Sequence, residues 1–181
     1  MKPGIITMAE LHGAIAERLL AIQRMYDPRM VAELPPHITI SGSSGMGPIS
    51  PDTTDQELRD LLEPVAAATP PFTVCLEPPM RFMQSTVVVM PIEPHGPIRA
   101  LHELIKASGL SFEQPRFTFT PHVTLSFYPE LTRERLRELL RVRIDEPIRV
   151  DAIQAYRSID LTRTQKVLDL PLSGISLSSS R

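Results

Sequence analysis

Apolar and polar positions alternate with period two in two places, and the same six-residue phrase carries the alternation each time. Pro36-His37-Ile38-Thr39-Ile40-Ser41 comes first, and Pro121-His122-Val123-Thr124-Leu125-Ser126 follows, with its histidine 85 positions after the first. Such alternation predicts a half-buried β-strand whose side chains point to opposite faces at every step. Ile38, Ile40, Val123 and Leu125 then face a core, and His37, Thr39, His122 and Thr124 face away from it. At a rise of about 3.3 Å per residue, each His and its Thr project in parallel about 6.6 Å apart, a span that one phosphate group can touch at both ends.

The pattern around these strands predicts the other elements. Gly4 to Thr7 reads as a short strand, and a helix from about Met8 to Met25 carries the apolar stripe Leu11, Ile15, Leu19, Ile22. Tyr26-Asp27-Pro28 ends that helix, because proline disfavours helical geometry in the residue before it. Gly42 to Pro48 is a loop without the Gly-Lys-Ser/Thr ending of a nucleotide-binding P-loop. Thr54-Asp55-Gln56-Glu57 has capping-box spacing and opens a helix with Leu58, Leu61, Leu62 and Val65 inward. Strands are expected at Phe72–Leu76 and Thr86–Ile92, broken by Pro78-Pro79. Pro97 to Ser108 is the next helix, with Pro suited to its first turn and Gly109 to its end. After the second His strand, His122 to Phe127, Thr132 caps a helix with a Leu131–Leu136 staple and Leu139 and Leu140 on its apolar face. Strands are then expected from Ile148 to Arg157 and from Gln165 to Leu170. The polar tail from Ser173 to Arg181 is expected to fray.

Each half therefore runs helix, His strand, helix, strand, strand. The capped helices at Thr54 and Thr132, the strands at Phe72 and Ile148, and the last strands near Thr86 and Gln165 stand 78, 76 and 79 residues apart. The expected fold is α+β and bilobal, a duplicated unit with approximate two-fold symmetry. Two antiparallel sheets line a central cleft, and helices lie outside. Residues 1–172 form one such domain, with lobes of about 1–94 and 95–172, followed by the tail 173–181.

Composition narrows the function classes. Hydrophobic residues make up 42% of the 181 and charged residues 22%, as in ordinary globular proteins. The formal net charge of −2 lacks the basic surplus of a protein that grips a nucleic-acid backbone. It favours a small phosphorylated ligand or a strand end over a DNA duplex. The single cysteine, Cys75, excludes an intramolecular disulfide and fits a reducing compartment. There is no signal peptide and no membrane-spanning stretch, so a cytoplasmic monomer is expected.

Two histidines facing one another can divide a reaction: one, neutral, takes a proton from an attacking oxygen, and the other, protonated, gives one to the departing oxygen. Two Thr hydroxyls add donors for the non-bridging oxygens of a phosphate. The bland alternative is that a single His-x-Thr on a strand is common; two copies in matching frames need a shared reason. His12 lies on the polar side of the first helix. His95 and His102 are too far in sequence from a third ligand to form a compact metal motif. Arg81, Phe82, Tyr128, Arg157 and Lys166 fall near loop ends that could border the cleft. Of these, Phe82 and Tyr128 are candidates to stack on a base, and Arg157 is a candidate substrate contact.

His37-Ile38-Thr39-Ile40 and His122-Val123-Thr124-Leu125 resemble the paired His-x-Thr/Ser-apolar motifs of the 2H phosphoesterase superfamily, the 2′-5′ RNA ligase and cyclic phosphodiesterase group. The resemblance runs from Gly4 through Pro171. The opening, with a Gly-Ile strand, a helix, Tyr26-Asp27-Pro28 and Pro35-Pro36-His37, is similar to the small bacterial branch. It implies a bilobal α+β fold with antiparallel sheets lining a cleft. It also implies metal-independent, cofactor-free hydrolysis of 2′,3′-cyclic or related nucleotide or RNA-end phosphodiesters, or reversible 2′-5′ ligation. His37, Thr39, His122 and Thr124 would be the catalytic residues. The alternative is a non-catalytic module that binds nucleotides or RNA ends in the same cleft.

Overall fold

The computed structural model describes residues 4–32, 34–42, 44–82, 85–127, 130–159 and 163–175. Its first strand, β1 (Ile5–Glu10), is longer than expected, and it takes Met8, Ala9 and Glu10 from the helix predicted to start at Met8. Tertiary pairing overrides helical propensity there, since β1 is bonded to a strand on each side. Helix α1 (Gly13–Tyr26) begins only at Gly13, whose φ of +69° suits glycine alone among the standard residues without strain. The same device recurs at Gly96, with φ +65°, at the start of α3 (Gly96–Lys106). Both glycines follow a histidine, so His12-Gly13 and His95-Gly96 open equivalent turns.

The remaining elements are β2 (His37–Ser41), α2 (Asp55–Ala68), β3 (Phe72–Val74), β4 (Met80–Arg81), β5 (Val88–Pro91), β6 (His122–Ser126), α4 (Arg133–Leu139), β7 (Ile148–Val150), β8 (Ala152–Ser158) and β9 (Thr164–Pro171). Thr54 and Thr132 cap their helices as expected, accepting from Glu57 N and Arg135 N. The strand expected over Ile148–Arg157 is two strands, broken at Asp151, whose carbonyl accepts from Leu172 N. The ladder expected from Thr86 to Ile92 is Val88–Pro91, with Ile92 in an isolated bridge to Leu76. The start of the tail is tied down rather than frayed, because Ser173 N and Gly174 N donate to Ala66 O and Thr69 O at the end of α2. None of the described helices is long and apolar enough to cross a membrane.

The strands form antiparallel sheets in the orders β2-β1-β8-β9, β4-β5-β6 and β3-β7. Two registers coincide. Strand β1 pairs Glu10, Ala9 and Met8 with His37, Ile38 and Thr39. Strand β5 pairs Pro91, Met90 and Val89 with His122, Val123 and Thr124. Each ladder then slips by one residue, leaving Ile40 or Leu125 as the extra residue of a bulge on the His strand. The next bond after each ladder also matches, with Leu11 N on Pro36 O and Ile92 N on Pro121 O. Strand β5 thus stands to β6 as β1 stands to β2. The order of elements in the sequence matches it instead with the strand at Gln165, which in the fold extends β8.

β2 and β6 are edge strands of their sheets, and they pack against each other. The helices cross over to them. Gln23 of α1 donates through Nε2 to Thr124 O of β6 (2.8 Å), and Asp27 just beyond α1 accepts from Phe127 N (2.7 Å). His102 of α3 is bonded through Nδ1 to Ile40 O of β2 (2.9 Å). Outward carbonyls that an edge strand would leave unpaired are so satisfied by buried side chains from the helix that precedes the other His strand. His102 also stacks on Phe119, with ring centroids 3.8 Å apart. His102→Ala should therefore lose a buried hydrogen bond and leave a cavity, lowering stability by about 2–4 kcal/mol; urea unfolding of the two proteins measures it.

Candidate active site

The alternation places its apolar half as expected. Ile38, Ile40, Val123 and Leu125 are at most 1% exposed and join one core with Leu19, Leu58, Leu62, Met90, Leu101 and Ile153. His37, Thr39, His122 and Thr124 lie on the other face of their strands and are partly buried. Both imidazoles are held in one way: His37 Nδ1 lies 2.7 Å from Pro35 O, and His122 Nδ1 lies 2.7 Å from Thr120 O, each two residues back. A carbonyl only accepts, so Nδ1 carries the hydrogen and Nε2 holds the lone pair when the ring is neutral. Neither Nε2, nor the hydroxyl of Thr39 or Thr124, has a protein partner among the described residues.

Burial pushes the His37 imidazole below its ordinary value; the Pro35 carbonyl works the other way, His122 adds to the lowering and Glu10 opposes it. Burial likewise lowers His122, against the Thr120 carbonyl. The His122 effect on His37 places the two rings within electrostatic reach, in keeping with the packing of β2 against β6.

The other candidates scatter. The Phe82 ring lies 4.9 Å from the His122 ring, tilted by 38°, and meets Phe117 edge-on at 6.3 Å. Phe117 is 42% exposed and extends the Phe82 ring beside His122; its alternation in Phe117-Thr118-Phe119-Thr120 was a signal that could have marked it. Arg157 sits elsewhere. It pairs with Ile5, five residues along β1 from the residue opposite His37, about 17 Å at strand rise. Its guanidinium donates to Pro51 O, Thr53 O and Asp55 Oδ1 at the start of α2, which makes it a structural clasp. Arg81 is exposed and donates through Nε to Ser85 O. Tyr128 lies outside the described residues. His12 and His95 are exposed at the starts of α1 and α3, and His102 is in the core.

Sequence reasoning missed Glu10, which the expected helix absorbs. Directly across from His37, its Oε1 accepts from Tyr156 Oη (2.7 Å) and lies 2.5 Å from Lys166 Nζ. No local signal marks it: Ile5-Ile6-Thr7-Met8-Ala9-Glu10 has no apolar–polar alternation, and pairing with β2 and β8 makes it a strand. Burial works against the Lys166 charge, but Glu10 and Asp169 outweigh it and hold the ammonium above its ordinary value. Burial and the Glu10 carboxylate raise the Tyr156 phenol, so it stays neutral.

Three imidazoles, His37, His102 and His122, are lowered, each chiefly by burial. Below about pH 6.5 the unfolded chain binds protons there that the folded chain does not, so stability falls as pH drops from 6.5 toward the folded values. From these groups no change is expected above pH 7. Thermal unfolding across pH 5 to 8 should show that shape, and His102→Asn should flatten part of the acid limb.

Residues 11–160 match the 2′-5′ RNA ligase superfamily. A Geobacillus kaustophilus protein named as a candidate phosphoesterase is 31% identical over 108 residues, and a Geobacillus thermodenitrificans protein of the same name is 27% identical over 129. The first match covers 57% of each chain, and the second covers 69% of this chain and 68% of its relative. Among solved structures, TT0787 of Thermus thermophilus superposes with a TM-score of 0.63 at 15% identity, and E. coli LigT in its apo form with 0.57 at 18%. Each match covers 94% of this chain and 98% of the other. LigT has also been solved in complex with phosphate, ATP, NADP+ and 3′-AMP. These likenesses extend the α+β fold with antiparallel sheets to nearly the whole chain. On the match over residues 11–160, the chain belongs to the 2′-5′ RNA ligase superfamily, the 2H phosphoesterases.

Proposed function

We propose that the chain is a metal-independent phosphodiesterase acting on 2′,3′-cyclic or related nucleotide and RNA-end phosphodiesters, with His37, Thr39, His122 and Thr124 as its catalytic residues. In this reading the repeated order of elements is a duplicated unit with a two-fold axis between β2 and β6, and the two His-x-Thr faces open onto one cleft. The observation that carries it is the pair of imidazoles clamped through Nδ1 in the same tautomer, each beside a threonine with an unengaged hydroxyl. Superfamily membership supports the reading, and the phosphate and 3′-AMP complexes of LigT support a nucleotide-sized ligand.

The chemistry is an in-line displacement at phosphorus. One neutral Nε2 takes a proton from water as its oxygen bonds to phosphorus. The other, protonated, Nε2–H gives its proton to the ribose oxygen as that P–O bond breaks. The product is a phosphomonoester with one free hydroxyl, and the pair has exchanged its single proton. With a 5′-hydroxyl in place of water, the same exchange opens the 2′,3′-cyclic phosphate by breaking its P–O3′ bond and leaves a 2′-5′ linkage between two ends; run backwards it cleaves that linkage. Thr39 and Thr124 donate to the non-bridging oxygens as their charge grows. Phe82 and Phe117, beside His122, offer a face to a base.

Turnover of a 2′,3′-cyclic nucleotide tests this directly. His37→Ala and His122→Ala should each lose on the order of 10²–10⁴-fold, and Thr39→Ala and Thr124→Ala somewhat less, up to about 10²–10³-fold. The double His variant should be little worse than either single one, because the residues act as a unit. Excess EDTA should leave the rate unchanged. Folded single-His variants with near wild-type rates, or activity that vanishes with EDTA and returns with a divalent ion, would overturn the assignment.

The lowered imidazoles set the pH profile. In the free protein the singly protonated pair is most populated on the acid side of neutrality, so kcat/KM should peak below about pH 6.5. A bound phosphodiester anion favours imidazolium, so the alkaline limb of kcat should lie at higher pH than that of kcat/KM. A kcat/KM maximum above pH 8 would contradict this.

A further inference from the structure

The two His strands match in sequence, register, bulge and carbonyl clamp, but not in the residue each histidine faces across its ladder. His37 faces Glu10, and His122 faces Pro91. Directly opposed residues on antiparallel strands have Cβ atoms about 4.5–5.5 Å apart on one face of the sheet. Glu10 is also a built feature. Its side chain is only 8% exposed, its Oε1 holds Tyr156 Oη and Lys166 Nζ, and its backbone N–H donates to Gln154 Oε1 (2.9 Å). Gln154 Nε2 in turn donates to Asp169 Oδ1 (3.0 Å), and Asp169 Oδ2 lies 3.6 Å from Lys166 Nζ. In the order β2-β1-β8-β9, the carboxylate lies between His37 on one side and the Tyr156–Lys166 pair on the other. Both of those partners address Oε1, which leaves Oε2 without a protein partner among the described residues.

A buried carboxylate is costly to desolvate, and the equivalent position on β5 is a proline. A role only in sheet packing would not need it. We propose that Glu10 is a positioning residue that makes His37 the imidazole carrying the shared proton, and hence the general acid, with His122 neutral as the base. The assignment of roles rests on the phosphodiesterase reading above; the location of the proton does not.

Charge supports the direction. Across its ladder His37 meets Glu10 from β1, whose carboxylate is held by Tyr156 from β8 and Lys166 from β9 with Asp169 beside the ammonium, and His122 from β6 lies within electrostatic reach. Tyr156 is neutral, and two carboxylates against one ammonium leave a net negative charge on this wall. His122 has the uncharged Phe82 ring and Pro91 as neighbours instead. Burial lowers both imidazoles and His122 lowers His37 further; the Glu10 carboxylate is the opposing charge, and it acts on His37 and not on His122. It would also stabilise the shared proton until a leaving oxygen draws it off.

Site-resolved imidazole ¹⁵N–¹H NMR titration of the full chain, free and with inorganic phosphate, tests this, with His37→Asn and His122→Asn used for assignment. His37 should titrate above His122. Glu10→Gln, which keeps the shape and the Tyr156 bond, should lower His37 by about 0.5–1 pH unit and shift His122 less. Lys166→Gln, which removes the cation from the carboxylate, should move His37 upward. Shifts of opposite sign are what an electrostatic role requires and a merely structural one would not produce. If Glu10→Gln does not fold, the wild-type order and the Lys166→Gln shift decide alone. The proposal is overturned if His122 titrates above His37, or if the variants leave His37 unmoved or move it the same way. The titration reads the proton whether or not any phosphodiester is turned over. Turnover lost with the NMR order intact would therefore fault the function and not the role of Glu10.

Discussion

Period two in the His strands is the constraint from which the site follows. Ile38, Ile40, Val123 and Leu125 are essentially solvent-free. Fully burying such a side chain stabilises by roughly 1.5–3 kcal/mol, so a one-residue slip in both strands would forfeit on the order of 6–12 kcal/mol. That is comparable to the whole stability of a typical domain. The slip would also bury both histidines and both threonines. Holding the core therefore holds His37 and Thr39, and His122 and Thr124, on the opposite face without any interaction of their own. The bulge at Ile40 and at Leu125 bends each strand just past the threonine, and the carbonyls of Pro35 and Thr120 then fix how each imidazole presents Nε2.

The two edge strands depend on each other through the helices. Gln23 and Asp27 tie α1 to β6, and His102 ties α3 to β2, so neither His strand is completed by residues near it in sequence. A phosphodiester held between such strands would meet unlike walls: Glu10, held by Tyr156 and Lys166, across from His37, and Phe82, packed on Phe117, beside His122. Matching ladders with unlike neighbours suit a reaction in which one imidazole must give a proton while the other takes one.

The repeated phrase, the helix caps at Thr54 and Thr132 and the ends of α1 and α2 were legible in the sequence, because each rests on interactions within a few residues. What depends on distant pairing was not. Met8, Ala9 and Glu10 have no local reason to avoid a helix; β2 and β8 on either side hold them in a strand. Asp151 carries no breaker signal, yet the chain changes sheet there. Arg157 read as a candidate substrate contact at a strand end, and only the fold brings it to the carbonyls before α2. Glu10 was lost with the helix boundary, and Phe117, although it alternates with Thr118, Phe119 and Thr120, lies outside every expected element. The catalytic candidates were visible because the pattern repeats, whereas the groups that make the two histidines unlike do not repeat.

The central claim is that His37 and His122 share one phosphoryl group. A crystal structure of the chain with a 2′- or 3′-nucleoside monophosphate, the product of the reaction, would test it most directly. The account predicts one phosphoryl group within hydrogen-bond distance of Nε2 of both histidines and of the hydroxyls of Thr39 and Thr124. A phosphate bound to only one of the two strands, or away from both, would contradict it.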